Sequence, residues 1–396
     1  MRKKLMIVGA GLNEIPAIQK AKEMGILTVV ADANPGAPGI KHADVPIVLD
    51  ICDTDSMTKL AKKYEIDGVM TVSVDAAVKT VAVIADTLGL PGIKPSVAQV
   101  VTTKAGVRRA LVKTGIPSPK FAAVGSVKQL REFTHEVDLP LVVKPVDRSG
   151  SRGVSKVYDS SLLEKAFELA KSSSAVQEVL VEECMEGSEH SVECFTYNGK
   201  THVLTISDKI KTLPPYCVDI NLAYPSSLPV KDVEKIEVLV KSAIEVLGID
   251  CGPTHTEVIM TKPGPSILEI HARCGGAHIP SHIVSYVTGV NMIEQCINLS
   301  LGLKVDISVT PAHAAVLRFL LPKPGRVLDI IGTDDVLNKE WVIDLVLFYE
   351  AGMMIRGLRD GTDRGGYLIA VGDTVSEAMG RADIAANLIR WKVESP

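Results

Sequence analysis

The sequence lacks the features that mark nucleic-acid-binding and membrane-spanning proteins. Its 43 Lys and Arg residues are scattered, without a basic run or interleaved aromatic residues, and 47 Asp and Glu residues oppose them. The net charge of −4 therefore argues against binding to nucleic acid or to an anionic membrane surface. No apolar stretch reaches the roughly 18–20 residues that a membrane helix needs.

Cysteine is sparse and unpatterned. The seven Cys residues lie far apart, with no CxxC pair and no His cluster at the spacing of a zinc site. An odd number of unpaired thiols fits a reducing compartment, so a cytoplasmic location is expected. The first residues, MRKKLMIVGAG, contain only a short apolar run before a Gly-rich turn. They predict a buried first strand rather than a signal peptide.

The chain length and the hydrophobic pattern predict three segments that pack together. At about one domain per 150 residues, 396 residues correspond to two or three domains. Residues 1–98 alternate strands with helices, which predicts a parallel, Rossmann-like sheet. Residues 99–305 mix strands and helices, and begin with one basic helix predicted over Gln99–Thr114. Residues 306–396 predict four strands and a closing helix, Val375–Leu388, as an α+β cap.

A dinucleotide-binding pattern near the N-terminus is incomplete. Gly9 and Gly11 follow the first predicted strand, and Asp32 ends the second, as in an NAD-binding fingerprint. The third glycine position is Glu14, which would crowd a pyrophosphate at the helix N-terminus. An NAD-dependent oxidoreductase is therefore an alternative supported by these residues only. The loop could equally hold a small carboxylate or amine substrate.

The segment THTEVIMTKPGPSILEIHARCGG predicts two strands joined by a Pro-Gly turn. Alternation places Glu269, His271 and Arg273 on one face of the second strand, and His255 and Glu257 on one face of the first. Antiparallel pairing would bring these side chains to one patch. Two carboxylates so placed predict a hard divalent cation between them, and the arginine can clamp phosphate or carboxylate oxygens. A solvated hairpin face with a surface ion pair is the alternative.

A second loop has the composition of a phosphate-binding loop. The sequence DRSGSRGV at 147–154 follows a predicted strand that ends at Lys144. Glycine and serine allow close backbone approach, so their N–H groups can cradle phosphate oxygens, and the lysine adds a point charge. The loop is not a Walker A loop, and alone it is equally compatible with a plain turn. Together with the carboxylate hairpin, it predicts nucleotide phosphates and a metal between two lobes.

These motifs resemble those of the ATP-grasp superfamily, and the resemblance covers nearly the whole chain. In chain order the matching segments are TTK at Thr102–Lys104, VVKP at Val142–Pro145, SGSRGV, Val181–Glu193, Ser207–Tyr216 and the HTE…LEIHAR hairpin. The resemblance implies an α/β ATP-grasp fold. Its parts are an N-terminal Rossmann-like domain at 1–98, a two-lobed ATP-binding domain at 99–305 and an α+β cap at 306–396. The lid lobe would span about 120–182.

The resemblance also implies which residues bind ATP. Two lysines would contact the phosphates, a flexible loop would close over them, a hinge would hold adenine largely through its backbone, and a carboxylate would accept the ribose hydroxyls. In that order, the implied residues are Lys104 and Lys144; Ser149, Gly150, Ser151, Arg152 and Gly153; Glu182, Glu183, Cys184 and Met185; and Glu189.

The metal site and the reacting groups are implied in the same way. Glu257 and Glu269 would bind two Mg²⁺ ions, with Glu269 bridging them. His271 stands where the family usually has Asn. A neutral imidazole suits softer divalent ions, so Mn²⁺ is an alternative, and so is a histidine that only donates hydrogen bonds. Arg273 would stabilise the acyl-phosphate or orient the acceptor carboxylate, while Lys209 or its neighbour Lys211 would reach phosphate.

Within the superfamily the chain is most similar to L-amino-acid ligases and related carboxylate–amine ligases. The implied reaction is ATP-dependent joining of a carboxylate, here an amino acid, to the amine of another, through an acyl-phosphate. The substrate pocket would take residues from the N-terminal loop, from the region around Asp219–Pro225 and from GGAHIPSHIV, where His278 and His282 could line the acceptor pocket. A ligase acting on formate or bicarbonate and a purine-pathway amine is one alternative, and a non-catalytic ATP sensor is another. The partners are small molecules, and a homodimer is one expected assembly.

Overall fold

The N-terminal segment forms a four-stranded parallel sheet. The computed structural model describes residues 2–148, 150–213, 216–310 and 313–394. The first elements are β1 (Lys4–Val8), α1 (Ile15–Glu23), β2 (Leu27–Asp32), β3 (Val45–Val48), α2 (Thr54–Tyr64), β4 (Gly68–Met70) and α3 (Val78–Leu88). The strand order is β3-β2-β1-β4, with all pairings parallel. The prediction of a parallel sheet is confirmed.

The prediction of a single helix over Gln99–Thr114 is wrong. The structure has two helices instead, α4 (Pro95–Val101) and α5 (Lys104–Lys113). Thr103 between them is extended, with φ −126° and ψ 128°. The hydroxyls of Thr102 and Thr103 bond to carbonyl oxygens of the preceding turn, so these side chains compete with the continuing helix. The break places Lys104 at the start of α5, facing the hairpin.

The lid is a four-stranded antiparallel sheet with two helices. Its elements are β5 (Phe121–Val124), α6 (Val127–Phe133), β6 (Leu141–Pro145), β7 (Ser155–Val157), α7 (Leu163–Ser173) and β8 (Val179–Glu183), and the strand order is β5-β8-β6-β7. The side chains of Leu141, Val143, Phe167 and Val181 are among those that form its own apolar core. The lid therefore packs as a unit, and Val146, directly after β6, packs in a separate small cluster with Ala105 and Leu180.

The next sheet carries the predicted hairpin. The elements that follow are β9 (Ser188–Tyr197), β10 (Lys200–Ile206), β11 (Asp208–Lys211), β12 (Asp219–Tyr224), α8 (Val230–Val246), β13 (Gly252–Met260), β14 (Pro265–His271), α9 (Val284–Thr288) and α10 (Met292–Ser300). The sheet order is β10-β9-β13-β14, and every pairing is antiparallel. Helix α8 packs on one face of this sheet.

The C-terminal segment contains the four predicted strands and the closing helix. Its elements are β15 (Ala314–Leu320), β16 (Gly325–Ile331), α11 (Thr333–Leu337), β17 (Val342–Leu347), β18 (Met354–Ile355), β19 (Gly366–Gly372), α12 (Val375–Leu388) and β20 (Arg390–Glu394). Strands β11 and β12 join its main sheet, in the order β11-β12-β15-β19-β17, and β18-β16-β20 form a small sheet. One sheet is thus shared between chain segments that the sequence pattern separates.

The largest buried apolar cluster connects the N-terminal and C-terminal segments. It contains Leu5 and Ile7 of β1, Ile283 beside α9, and Leu317 and Ile369 of the C-terminal sheet. The segments therefore share one core, and the surfaces between them are fixed by packing. In the part of the chain that is described, the helices are all too short or too polar to span a bilayer.

Candidate active site

The predicted convergence of charged side chains on the hairpin is confirmed. Strands β13 and β14 pair antiparallel, with Glu257 opposite Glu269 and His255 opposite His271. A register shift follows Glu257, so the pairing is irregular beside the two carboxylates. The hairpin therefore presents a pair of acidic side chains flanked by two imidazoles.

Lysines from three different elements surround the carboxylate pair. Lys104 Nζ lies 2.9 Å from one Glu269 oxygen, and Lys144 Nζ lies 3.7 Å from the other. Lys209 Nζ lies 2.8 Å from Glu257 Oε1. Burial alone would raise the pKa of both carboxyls, but the lysines outweigh burial and hold each pKa below its usual value. Both groups are therefore anionic, and their oxygens have the chemistry that a hard divalent cation needs.

Asp75, which the sequence analysis did not identify, connects the hairpin to the N-terminal segment. Its carboxylate accepts hydrogen bonds from Arg273 Nε at 2.8 Å and Nη2 at 2.9 Å, and lies 2.9 Å from His271 Nδ1. Burial opposes ionisation of Asp75, but Arg273 and His271 hold its pKa well below the usual range. Arg273 is therefore oriented by a bidentate ion pair.

His271 bridges two carboxylates. Its Nε2 lies 3.1 Å from Glu269 Oε2, and its Nδ1 faces Asp75. Burial and Arg273 act to lower the pKa of His271, yet the two carboxylates raise it above its ordinary value. Ligation of a metal by His271 would therefore require one of these two contacts to break.

We expect Asp75→Asn to lower the pKa of His271 in the metal-free protein. Because the pKa of His271 is raised in the folded protein, the contact between Asp75 and protonated His271 stabilises the fold fully below about pH 6.5. This stabilisation is lost as the pH rises through the pKa of His271 in the folded protein. NMR titration of the imidazole would measure the change, with the exposed Asp86→Asn as the control. An unchanged His271 titration in Asp75→Asn would contradict the assigned contact.

A cavity of about 170 Å³, called the lid cavity here, lies between the lid and the hairpin. It brings together eleven of the predicted ATP-binding and metal-binding residues: Lys104, Lys144, Gly150, Ser151, Glu182, Glu183, Cys184, Met185, Glu189, Glu257 and Glu269. Arg152 instead lines an adjoining cavity. Gly153 lines neither cavity. With φ +71° and a Cβ position 2.7 Å from the Ser173 side chain, Gly153 serves the turn. Ser149 lies outside the described residues.

Glu182 acts through its side chain on the lysine beside it. Its carboxylate is buried and contacts Arg108 Nε at 2.6 Å and Lys144 Nζ at 2.7 Å. Burial would raise the pKa of Glu182, but Arg108 and Lys144 lower it. Arg108 also donates to the carbonyl oxygens of Ile267 and Leu268 on β14. This network ties α5, the lid and the hairpin together behind the lid cavity.

We expect Arg108→Ala to lower the free energy of unfolding by about 3–5 kcal/mol, because it removes one partner of a buried ion pair. Urea denaturation would measure the loss. The neighbouring Arg109 is exposed, so Arg109→Ala is a matched control with an expected change of about 0.5 kcal/mol or less. Equal losses in the two variants would contradict a structural role for the buried network.

The two candidate phosphate lysines face different cavities. Lys209 contacts Glu257 and lies 3.5 Å from Asp219 Oδ2. Lys211 contacts Glu189 and lines the lid cavity, whereas Lys209 lines the cavity described next. Burial lowers the pKa of each amine, but the surrounding carboxylates outweigh it and raise each pKa above its usual value. Both lysines are therefore protonated.

A cavity of about 350 Å³, called the sheet cavity here, lies between the hairpin and the C-terminal sheet. Arg273 and Lys209, the predicted catalytic residues, line it together with His271. Residues from all three predicted pocket segments contribute, among them Leu12, Asn13, Asp219, Leu222, Gly276, Ala277 and Ile279. His255 also lines the cavity, and its Nδ1 lies 2.7 Å from the buried Glu193 carboxylate, a contact that the sequence did not reveal.

His278 and His282 do not line the sheet cavity. His278 Nδ1 lies 2.7 Å from Asp344 Oδ2, and its Nε2 lies 3.0 Å from the Leu12 carbonyl oxygen. One possible ligand atom from each of His278, His282 and Asp344 falls within 4.8 Å of the others. Both nitrogens of His278 already face hydrogen-bond acceptors, however, so this cluster ties the N-terminal loop to the C-terminal sheet.

The N-terminal loop is unsuited to a dinucleotide. Glu14 is buried and accepts hydrogen bonds from the backbone N–H and hydroxyl of Ser73. Burial raises the pKa of Glu14 above its usual value. Asp32 accepts hydrogen bonds from the Ala10 and Asn34 N–H groups, so its carboxylate closes the loop. The Gly-rich pattern thus reflects a loop built around two carboxylates, on the wall of a cavity of about 450 Å³ called the loop cavity here.

Three family models match successive parts of the chain. The ATP-grasp N-terminal domain matches residues 18–92, the ATP-grasp domain matches residues 137–281, and the L-amino acid ligase C-terminal domain 2 matches residues 318–394. The matches follow the chain order of the segments described above.

Relatives and solved structures agree with these models. The chain is similar to the L-arginine-specific L-amino acid ligase of Bacillus subtilis, at 24% identity over 81% of this chain and 80% of the relative. It is also 25% identical to a formate-dependent phosphoribosylglycinamide formyltransferase of Synechococcus sp., over 99% of this chain and 98% of the relative. The fold matches the crystal structure of an L-amino acid ligase from Bacillus licheniformis with a TM-score of 0.87, at 22% identity over 100% of this chain and 99% of that one. The chain therefore belongs to the ATP-grasp family of ADP-forming carboxylate–amine ligases.

Proposed function

We propose that the protein joins the carboxylate of one amino acid to the amine of another through an acyl-phosphate. The supporting observation is that several residues line both the lid cavity and the sheet cavity. A phosphoryl group would be transferred at these residues. The shared residues are Gly150, Asp219, Glu257, Glu269 and Arg364. A nucleotide in the lid cavity and an amino acid in the sheet cavity would meet at the carboxylate pair.

The chemistry follows from the poor electrophilicity of a carboxylate. A carboxylate oxygen attacks the γ-phosphorus of ATP, the bond to the β-phosphate oxygen breaks, and ADP leaves. The amine nitrogen then attacks the acyl carbon, the carbon–oxygen bond to phosphate breaks, and a proton is lost as the amide forms. Catalysis of phosphoryl transfer is mostly positioning and neutralisation of charge. In this site Lys104, Lys144 and Lys211 are placed to neutralise phosphate oxygens, with Lys209 and Arg273 on the acceptor side.

Glu257 and Glu269 would hold the divalent metal, and their ionised oxygens fit it. Two Mg²⁺ ions remain the proposal, with Mn²⁺ as the alternative. Such an ion supplies additional neutralisation of the charge on the transferring group. Its binding would compete with Lys104 for Glu269 and with Lys209 for Glu257, which would free both amines for substrate oxygens.

The lid is positioned to exclude water from the reacting groups. The Gly361 N–H donates to the Gly150 carbonyl oxygen at 3.0 Å, so the lid loop contacts the C-terminal segment. Exclusion of water matters because hydrolysis would otherwise consume the acyl-phosphate.

An acceptor with a ribose phosphate is the main rival, since relatives include a phosphoribosylglycinamide formyltransferase. Among the described residues, the N-terminal wall of the loop cavity carries Glu14 and Asp75 and no Lys or Arg, whereas the basic residues of the cavity belong to α5 (Lys104 and Arg108) and to the lid loop (Arg148 and Arg152). A phosphate at that wall would meet no cation from the N-terminal segment among the described residues. This observation favours an amino acid over a phosphorylated acceptor.

The test is phosphate release from ATP and Mg²⁺ across single and paired amino acids, with mass spectrometry of the products. We expect release that requires amino acids and yields a dipeptide mass. Release only with formate or bicarbonate and a ribose-phosphate amine would establish the rival. ATP binding without release under any of these conditions would indicate a sensor. Mass photometry of the purified protein would test the proposed homodimer.

A further inference from the structure

Arg364 is a cation held between two cavities with part of its hydrogen-bonding capacity unused. Its side chain is 13% exposed and lines both the lid cavity and the sheet cavity. Nη2 donates to the Asp219 carbonyl oxygen at 2.9 Å. Among the described residues, the buried Nε has no hydrogen-bond partner. A buried guanidinium normally satisfies its donors, so the open donor indicates a missing acceptor.

The carboxylate nearest to Arg364 does not complete its coordination. Asp219 Oδ2 is 3.9 Å away, and Asp219 also faces Lys209 at 3.5 Å and Lys211 at 3.9 Å. Asp219 therefore faces three cations, of which Lys209 and Lys211 each have a closer carboxylate partner, whereas Arg364 has no other carboxylate within 4.0 Å among the described residues. A further anion at this point would be attracted by Arg364 and would supply the planar guanidinium with an acceptor.

Aromatic rings adjoin this cation inside the sheet cavity. The Arg364 guanidinium lies 3.6 Å from the centroid of the Phe319 ring, which fixes the plane of the guanidinium. Tyr367 makes edge contacts with Phe319 and Phe348, at centroid distances of 6.3 and 6.0 Å. We call these three rings the aromatic wall.

We propose that Arg364 and the aromatic wall form the subsite for an apolar amino acid. The guanidinium binds anionic oxygens of the substrate at the junction of the cavities, and the rings receive an apolar or aromatic side chain. The inference rests on the proposed function and adds to it the class of amino acid. The anionic oxygens belong either to the amino-acid carboxylate or to the γ-phosphate, and the following experiment separates these sources.

The test is calorimetric binding of L-phenylalanine and L-phenylalaninamide to the full chain with Mg²⁺ and adenylyl imidodiphosphate. We expect wild type to prefer the acid by about tenfold or more, the value of a charged hydrogen bond. Arg364→Gln should weaken binding of the acid by about 10–150-fold and remove the preference, whereas Arg364→Lys should keep part of it. Arg359→Gln is the control, because it removes an equal charge from an exposed side chain on the same loop. We expect it to leave binding of both ligands unchanged.

Binding of adenylyl imidodiphosphate without an amino acid shows whether Arg364 binds the γ-phosphate or the amino-acid carboxylate. If Arg364→Gln weakens binding of adenylyl imidodiphosphate alone and leaves phenylalanine unchanged, the guanidinium binds the γ-phosphate. Unchanged affinity for both ligands in Arg364→Gln would overturn the subsite. The subsite would be wrong and the proposed function would stand if the wild-type protein forms dipeptides while Arg364→Gln binds both ligands like wild type. The proposed function would be wrong and the subsite would stand if the preference for L-phenylalanine over its amide depends on Arg364 but no dipeptide forms.

A substitution of Phe348 tests the aromatic wall separately from Arg364. Phe348 is 39% exposed, so Phe348→Ala should fold. We expect it to weaken binding of L-phenylalanine by about tenfold and to leave L-alanine unchanged, since only the larger side chain reaches the rings. Equal effects on both amino acids, or a wild-type preference for charged side chains over apolar ones, would contradict the apolar subsite.

Discussion

Glu269→Gln is expected to abolish ATP turnover while the fold stays intact. The substitution keeps the size of the side chain but removes the charge that faces Lys104, Lys144 and His271. It also removes an anionic ligand for the proposed metal. Loss of several kcal/mol of charge stabilisation corresponds to a decrease in kcat of about a thousandfold or more. Phosphate release with the best amino-acid pair would measure it.

A matched substitution separates the site from general effects of losing a carboxylate. Glu234 is exposed on α8, so Glu234→Gln should release phosphate at the wild-type rate. Circular dichroism and thermal unfolding would verify that both variants fold. Phosphate release at the wild-type rate from Glu269→Gln would contradict the site assignment, because no other described carboxylate contacts both Lys104 and Lys144.

Lys144→Met is expected to weaken ATP binding by about thirtyfold or more. The Lys144 amine is buried between Glu182 and Glu269 on the wall of the lid cavity. Methionine fills the same space without the charge, so the nucleotide phosphates lose a cation and the two carboxylates lose a partner. Titration with a fluorescent ATP analogue would measure the dissociation constant.

The control for this prediction is Lys128→Met, which removes an equal charge from a side chain that is 87% exposed on α6 of the lid. We expect its affinity for the analogue to stay within about twofold of wild type. If both variants bind the analogue like wild type, Lys144 serves only to satisfy Glu182 and does not contact phosphate.

The hairpin could be predicted because its information is local. A Pro-Gly turn between two alternating apolar runs sets the register, and the register sets which side chains share a face. The turn accounts for the pairing from Met260–Pro265 to Val258–Ile267, whereas the opposition of Glu257 to Glu269 also requires the register shift between Glu257 and Val258, which the sequence pattern does not reveal. The lysines Lys104 and Lys144 became recognisable from short motifs, although their distances to Glu269 depend on the packing of other elements.

The residues that support the site could not be predicted, because they reach it from far along the chain. Asp75 lies 196 residues before His271 and 198 before Arg273. Arg108 lies 74 residues before Glu182. No periodicity relates such positions. Arg364 is equally remote, and only the meeting of two cavities reveals it.

The failed prediction of one helix over Gln99–Thr114 has a local cause. The prediction relied on Gly115, Pro117 and Pro119, which mark where a helix ends and give no sign of a break inside it. The threonine hydroxyls bond to the backbone of the preceding turn, and Thr103 adopts an extended conformation. Side-chain competition for the backbone thus accompanies the break in the helix directly before Lys104, which contacts Glu269.

The shared C-terminal sheet limits how specificity could be exchanged between relatives. Strand β12 pairs with β15 from Asn221–Arg318 to Tyr224–Ala315, and Tyr224 is fully buried. A chimaera joined near residue 306 would place a foreign strand against β12 and expose or mismatch that edge. Grafts should therefore carry β11 and β12 with the C-terminal segment. The proposed substrate pocket is thus built from two separate chain segments, which would have to be exchanged together.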